Sequence, residues 1–394
     1  MPELAEVERS RRLLQRFLAG RVLTRVQAEK DDKVIANLSQ RKFVKAFKGA
    51  SVVHVHRKGK HIIVETAGKV PNLYFHQGMT GAFSARNPDG ELEEQLHYKD
   101  FKVDASQWPP RFHKVVLTTD AGAQIAFTNS RRFGKVLALE NLFDDPKFAK
   151  LGPDPFLDMP AADVVAGWLL ARKAPVKGVL LDQGFLAGIG NWIADEVLYQ
   201  ARVHPSTRGC NLKPPQISRI IESITYVVHE ACKANANHDL FPAFWLFHHR
   251  WANKKSGTKD FFGNTITFTT VAGRTAGWVG KFQSLTKSGG AKVKSLFRTQ
   301  AKPLTRGEFL RLQSPNCSTA EQLPGRVKQE KESASRAKTA PERKPRQARK
   351  RKTPLTTQRG AAKQEVTEPP HGVRKRRRSP RQQRRGRAAK GAAR

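Results

Sequence analysis

The sequence predicts an α+β chain, and three features carry that prediction. Apolar residues recur at helical spacing near the N-terminus. Short β-branched or alternating runs, separated by turn residues, then fill the chain to about residue 140. From about Ala161 the apolar period lengthens again to that of helices. The expected order is an N-terminal helix with a β-sandwich domain over residues 1–150, a helical domain over 151–250, a β-hairpin over 251–290 and a disordered basic tail over 291–394.

Each element has a local reason. Pro2 suits the first position of a helix, where its missing N–H costs nothing. Leu4, Val7, Leu14 and Leu18 then mark one apolar face, and Gly20 offers a stop. Strands are expected at 22–26, 51–56, 61–65, 73–76, 115–118, 124–128 and 135–139, a spacing that suggests a sandwich or barrel. Leu151-Gly152-Pro153-Asp154-Pro155 reads as a link. Helices follow at 161–172, 176–182 and 191–201, with Gly184, Gly188 and Gly190 punctuating the turn before the last of these. Pro214 or Pro215 opens a longer helix to about Ala234. A final hairpin pairs 265–271 with 278–283 around a turn at 272–277.

Charge is distributed unevenly. Lys and Arg number 72 against 34 Asp and Glu, a net +38, and residues 291–394 alone carry +24 of it. That stretch has no Trp, no Tyr and only Phe297 and Phe309. It buries too little apolar surface to offset chain entropy, so disorder is expected. The remaining length exceeds what one core usually serves. Such positive charge points to a polyanion, nucleic acid first and an anionic membrane second. No apolar run is long enough for a membrane span, and no secretory leader opens the chain. Cys210, Cys232 and Cys317 make neither a disulfide framework nor a CxxC pair, which fits a reducing intracellular compartment.

The N-terminus is itself a chemical group. Pro2 follows the initiator Met, and loss of Met1 would expose a secondary amine. An α-amine titrates near ~8, and a helix N-terminus pushes that value down. A neutral amine is what imine chemistry with a sugar aldehyde requires. Glu3 and Glu6 flank it as candidate acids or bases. Ordinary helix-start grammar explains the same residues.

A resemblance bears on that choice. Met-Pro-Glu-Leu-Ala-Glu-Val-Glu at 1–8, Arg57-Lys58-Gly59-Lys60, His76-Gln77-Gly78-Met79-Thr80-Gly81, Arg131-Arg132-Phe133-Gly134, the 151–155 link and the 177–198 segment occur in one order. Together they resemble the formamidopyrimidine-DNA glycosylase/endonuclease VIII family over residues 1 to about 290. Residues 177–198 resemble its helix–two-turns–helix motif. Ala5 departs from the family's usual second proline. Gly273-Arg274-Thr275 and Gln283 match the second half of the family's four-cysteine finger, but Val279 and Phe282 stand at the cysteine positions. Zinc cannot be held there in the usual way. The hairpin resembles the zincless finger of plant and fungal relatives, and packing of Ile266, Phe268, Trp278 and Phe282 is expected to hold it. The stretch from Cys232 to Arg250 is too short for the base-capping loop of bacterial 8-oxoguanine-preferring members, which puts that preference in question.

The resemblance implies a bifunctional glycosylase and abasic-site lyase that flips a damaged nucleotide out of double-stranded DNA and needs no cofactor or metal. Pro2 would be the nucleophile, Glu3 the proton-transfer group, and Lys60 the catalytic lysine near O4′ or a phosphate. Glu6 would face the lesion pocket. Met79, Arg131 and Phe133 would fill the vacated space in the duplex. Lys177, Gly190, Asn191 and the finger arginine Arg274 would contact phosphates, the glycines and Asn191 by making an anion site at a helix start. His54, His56, His61, His97, His113, His229, His248 and His249 read as packing or surface groups, as do Asp104, Asp182 and Asp195. The tail's basic runs at 343–352 and 374–387, the second containing Ser379-Pro380, read as nuclear-import or nucleic-acid contacts. A nuclear monomer is expected, with an import receptor as a second partner. The alternative is a non-catalytic nucleic-acid-binding protein on the same scaffold, which would not require Pro2, Glu3 and Lys60 together.

Overall fold

The computed structural model describes residues 1–92, 107–141, 146–251 and 257–287. The tail, with both basic runs and Ser379, lies outside the described residues, as do His97, Asp104 and Cys317. The architecture is α+β with antiparallel sheets. In chain order the elements are α1 (Leu4–Leu18), β1 (Leu23–Ala28), α2 (Gln40–Phe47), β2 (Val52–Lys58), β3 (His61–Thr66), β4 (Asn72–His76), β5 (Gly81–Arg86), β6 (His113–Thr119), β7 (Gln124–Asn129), β8 (Lys135–Leu139), α3 (Pro146–Ala149), α4 (Ala162–Leu170), α5 (Val176–Leu181), α6 (Asn191–Gln200), α7 (Pro214–Lys233), β9 (Ile266–Val271) and β10 (Arg274–Val279).

The first eight strands form two four-stranded sheets, ordered β1-β6-β7-β5 and β2-β3-β4-β8. They share one core. Val55, Ile62 and Phe75 of one sheet meet Leu117, Phe83 and Phe127 of the other, and Leu14 and Leu18 of α1 join them. The Phe75 ring lies 5.1 and 5.2 Å from those of Phe83 and Phe127 across this interface, within the range of favourable aromatic packing. A second core gathers α4 to α7 around Trp192, Val197, Ile224 and Trp245. Helix α1 belongs to both. Leu4 and Ala5 pack into the helical core, while Val7, Leu14 and Leu18 pack under the sheets. The chain's first residues are thereby fixed at the seam between the two.

Four local features differ from the sequence expectation. Helix α2 was not expected, because only Phe43 and Phe47 of its eight residues are buried, too few to show a period. Strand β5 (GAFSAR) lacks β-branched residues and is made a strand by pairing along β7. Pro2 does not begin the helix. Glu3 is the N-cap, and its backbone N–H donates to Glu6 at 3.0 Å in a capping box, so Pro2 lies one residue ahead of the cap. The last hairpin turns tightly at Ala272-Gly273, both with positive φ (50° and 71°), so β10 starts at Arg274 and not at 278.

Buried carboxylates fasten both halves of the fold. The guanidinium of Arg57, wholly enclosed, donates to Glu8 Oε2 at 2.9 Å and to both oxygens of Asp154 in the 151–155 link. Asp154 Oδ2 also accepts from Gly59 N at 2.7 Å, which sets the turn that carries Lys60. In the helical half, Glu196 of α6 accepts from Leu246 N at 3.2 Å and Phe247 N at 2.8 Å, pinning the segment after α7. Burial pushes the Glu196 carboxyl up to about 7.

That shift has a sign for stability. The folded chain holds a proton on Glu196 that the unfolded chain, with its ordinary carboxyl at 4.5, has released. The contribution is complete below 4.5 and is lost as pH rises through about 7. The stability difference between wild type and Glu196→Gln is therefore expected to move against the wild type between these pH values, as read by urea unfolding across the range. A difference that stays flat with pH contradicts it.

Candidate active site

The site grows from the contact between the N-terminus and α6. Leu4 N donates to Gly188 O at 3.1 Å, which sets α1 against the turn before α6. Glu3 is buried, and its carboxylate accepts from Trp192 N at 2.9 Å and Ile193 N at 3.1 Å. These are first-turn amides of α6, where free N–H groups and the helix dipole favour an anion. Gly190 makes the approach possible, since a Cβ there would lie 2.2 Å from Glu3 Cδ. Burial pushes the Glu3 carboxyl up, opposed by the charge of Lys60. Glu6 lies one turn on. One oxygen takes the capping-box bond, and the other accepts from Trp192 Nε1 at 3.1 Å.

Lys60, on the turn between β2 and β3, donates to Ile189 O at 3.0 Å, and burial lowers its ammonium. The N-terminal amine is also lowered by burial, against the charges of Glu6 and Glu3. Met1, Lys60, His76, Gly190, Asn191 and Arg274 line one cavity of about 390 Å³. Sheet, helical and hairpin residues thus converge on one space containing the chain's first residue. Arg274 is exposed there, directly after the tight turn.

Two expectations for phosphate contacts need correction. The anion site at the start of α6 is filled from within, because Glu3 takes the Trp192 and Ile193 amides. What Asn191 offers the cavity is its side chain, whose Oδ1 has no hydrogen-bond partner among the described residues. Lys177 is enclosed and not a surface cation. Its Nζ sits 2.6 Å from Asp195 Oδ1 and 2.6 Å from Thr275 O. Asp195 in turn accepts from Arg250 Nη2 at 2.6 Å and Gly277 N at 3.3 Å. This buried cluster fastens β10 beside Arg274, so Asp195 does more than sit on a helix surface. Apolar packing also holds the hairpin, with Ile266 and Val279 buried against Tyr199 and Leu246, and Phe268 and Phe282 beside them.

The three expected wedge residues share one rim. Met79 is 40% exposed and Phe133 50% exposed, so both apolar side chains are open to a partner surface. Their loops interlock, since a Cβ on Gly78 would meet the Phe133 carbonyl at 2.5 Å and Arg131 N donates to Thr80 Oγ1 at 3.2 Å. The Arg131 guanidinium lies 5.1 Å from the Phe133 ring. Between them Arg132 takes φ +56° and forms a forked pair with buried Asp31 (2.8 to 3.1 Å), which fixes the loop.

Comparison with known proteins places this arrangement. Residues 1–136 match the formamidopyrimidine-DNA glycosylase N-terminal domain, and residues 151–239 match the H2TH domain of the same proteins. The chain is 36% identical over 285 residues to a formamidopyrimidine-DNA glycosylase of Arabidopsis thaliana, covering 72% of this chain and 71% of that one. The chain belongs to the formamidopyrimidine-DNA glycosylase family. A bacterial member from Paracoccus denitrificans is 34% identical over 237 residues, covering 60% of this chain and 80% of that one. The fold matches the Lactococcus lactis Fpg crystallised with abasic-site DNA, with a TM-score of 0.58 at 23% identity over 72% of this chain and 99% of that one. In this family member, sequence reasoning read His61 only as a packing or surface group and gave no role to His76 or His238. His61 and His76 line the cavity, their rings 5.1 Å apart. Their signal was adjacency, His61 following Lys60 and His76 opening the Met79 loop. His238 had no such signal.

Proposed function

We propose that the chain is a bifunctional DNA glycosylase and abasic-site lyase of base excision repair, acting on double-stranded DNA with oxidised or ring-opened bases or abasic sites. The observation that carries this reading is Glu3, a buried acid at the chain's first residues, hydrogen-bonded to α6 and beside the ammonium of Lys60. A surface that only binds DNA has no use for a desolvated acid packed against Gly190 and an amine, Lys60, with Gly190 and Lys60 both at a cavity's lining.

In the proposed reaction the secondary amine of Pro2, freed of Met1, attacks C1′ of a flipped nucleotide. The bond from C1′ to the base breaks and the base leaves with a proton. The C1′–O4′ bond then opens, O4′ takes a proton, and the amine lone pair completes an iminium at C1′. Glu3, its carboxyl raised by burial, gives the proton to O4′. Loss of a C2′ proton expels the 3′ phosphate, a second elimination expels the 5′ phosphate, and water releases Pro2. Lys60 supplies positive charge near O4′ or a phosphate, Arg274 and Asn191 hold the strand, and Met79, Arg131 and Phe133 occupy the gap in the duplex. Glu6 faces the base. The chain acts as a monomer, and the basic runs at 343–352 and 374–387 take it to the nucleus through an import receptor.

Borohydride reduction in the presence of abasic-site DNA tests this. A covalent protein–DNA adduct is expected, together with release of a formamidopyrimidine base from a lesion duplex and phosphate at both ends of the gap. Absence of both the adduct and base release overturns the glycosylase reading. A sugar remnant at the 3′ end overturns the second elimination only.

A further inference from the structure

His238 stands where the mechanism has assigned nothing. It opens a single helical turn directly after α7, with Asn237 capping that turn by accepting from Asp239 N at 3.1 Å. The ring packs between Phe241 and Phe247 at 5.5 and 4.7 Å, and Phe247 is itself pinned by Glu196. His238 Nε2 is buried and has no hydrogen-bond partner among the described residues. It lies 3.8 Å from Glu6 Oε1, beyond hydrogen-bond reach, while a quarter of the side chain remains exposed. The nitrogen is within ion-pair reach of Glu6 but has no partner at hydrogen-bond distance, which leaves it able to donate to a group that arrives from outside.

The neighbourhood says what kind of partner. Glu6 Oε2 accepts from Glu3 N at 3.0 Å, the amide that follows Pro2, so its carboxylate lies beside the first residues of the chain. A sugar whose C1′ meets that amine has its phosphates drawn toward the cations Lys60 and Arg274 and repelled by Glu6. The neutral base is left to the Glu6 side. There a carboxylate with spare lone pairs and an imidazole N–H offer one acceptor beside one donor. The matching edge is an N–H next to a C=O, the amide or ureide edge that oxidised and ring-opened bases present.

We infer that His238 and Glu6 together read the amide or ureide edge of the flipped base, with His238 Nε2 donating to its carbonyl. This rests on the glycosylase reading above. Because the pair touches only the base, it acts on base release and not on cleavage of a sugar that has already lost its base.

Single-turnover rates on two duplexes decide it, one with a formamidopyrimidine or hydantoin base and one with an abasic site. The readout is the ratio of base release to abasic-site cleavage. His238→Phe keeps the aromatic packing and removes both nitrogens. It should lower that ratio about tenfold, the size of one lost hydrogen bond to a positioned group. His238→Gln returns an N–H at similar reach and should keep the ratio within about threefold of wild type. A Phe variant with the wild-type ratio, or one that loses both rates equally, overturns the inference and makes His238 a packing residue. A wild type inert on both duplexes sinks the glycosylase reading and takes this inference with it, a pattern distinct from the first two.

Discussion

A chain that keeps an extension ahead of Met1 is expected to form no borohydride-trapped adduct with abasic-site DNA and to lose base release by about three orders of magnitude or more. In such a chain the Pro2 nitrogen is a tertiary amide, with no proton and no available lone pair. Met1 itself lines the cavity that the sugar must enter. The first residues have no slack to present another amine. Pro2 and Glu3 are buried, Leu4 N is bonded to Gly188 O at 3.1 Å, and the capping box fixes the backbone between them. The place is also suited to an amine. Burial lowers the amine that stands there, which raises the fraction that is neutral and nucleophilic at a given pH. Electrospray mass spectrometry of the untagged chain, run beside the trapping assay, reports whether Met1 has gone. Full trapping by a chain with its extension intact would move the imine to a lysine, Lys60 being the one in the cavity.

How much of this site can be read from the sequence depends on whether a residue acts through its neighbours in the chain or across the fold. Glu3, Lys60, Asn191 and Arg274 stand in local patterns tied to turns, and each lies on a turn or element end that the pattern demands. The α1 face was legible because its apolar spacing is long and regular. The helix–two-turns–helix segment was legible through its resemblance to the family, its glycines marking only the turn before α6. Lys177 was misread for a physical reason. A lysine in a basic chain looks like a phosphate ligand, and its burial follows from Asp195, eighteen residues on, and Thr275 in the hairpin. The anion site of α6 was misread in the same way, since nothing local to Asn191 says that Glu3 will fill it. His238 is silent in sequence because its only distinction is a 3.8 Å separation from Glu6, which the packing of α7 against α1 creates. The two-residue turn at Ala272-Gly273 was hidden by an alanine with left-handed backbone.

Gly190→Ala should do the largest damage of any single methyl addition in the site. At φ −122° any residue is tolerated, so the requirement is space and not backbone freedom. The added Cβ would stand 2.2 Å from Glu3 Cδ and 2.5 Å from Oε1. One of the two must move. Glu3 is the side chain, but moving it breaks its bonds to the Trp192 and Ile193 amides and leaves two buried donors facing a void. Overpacking of this kind costs about 1–3 kcal/mol. A carboxyl displaced from O4′ by about an ångström should lower base release by about a hundredfold. The two effects separate in a double-mutant cycle. In a Glu3→Ala background the clash is absent, so adding Gly190→Ala should cost less than about 0.5 kcal/mol in urea unfolding, within the additivity error for independent sites. Base release in that background should also be insensitive to the second change, because the group that Gly190 makes room for is already gone. If the alanine costs the same with and without Glu3, the glycine serves the backbone of α6 alone, and the link drawn between the start of this helix and the proposed proton donor is wrong.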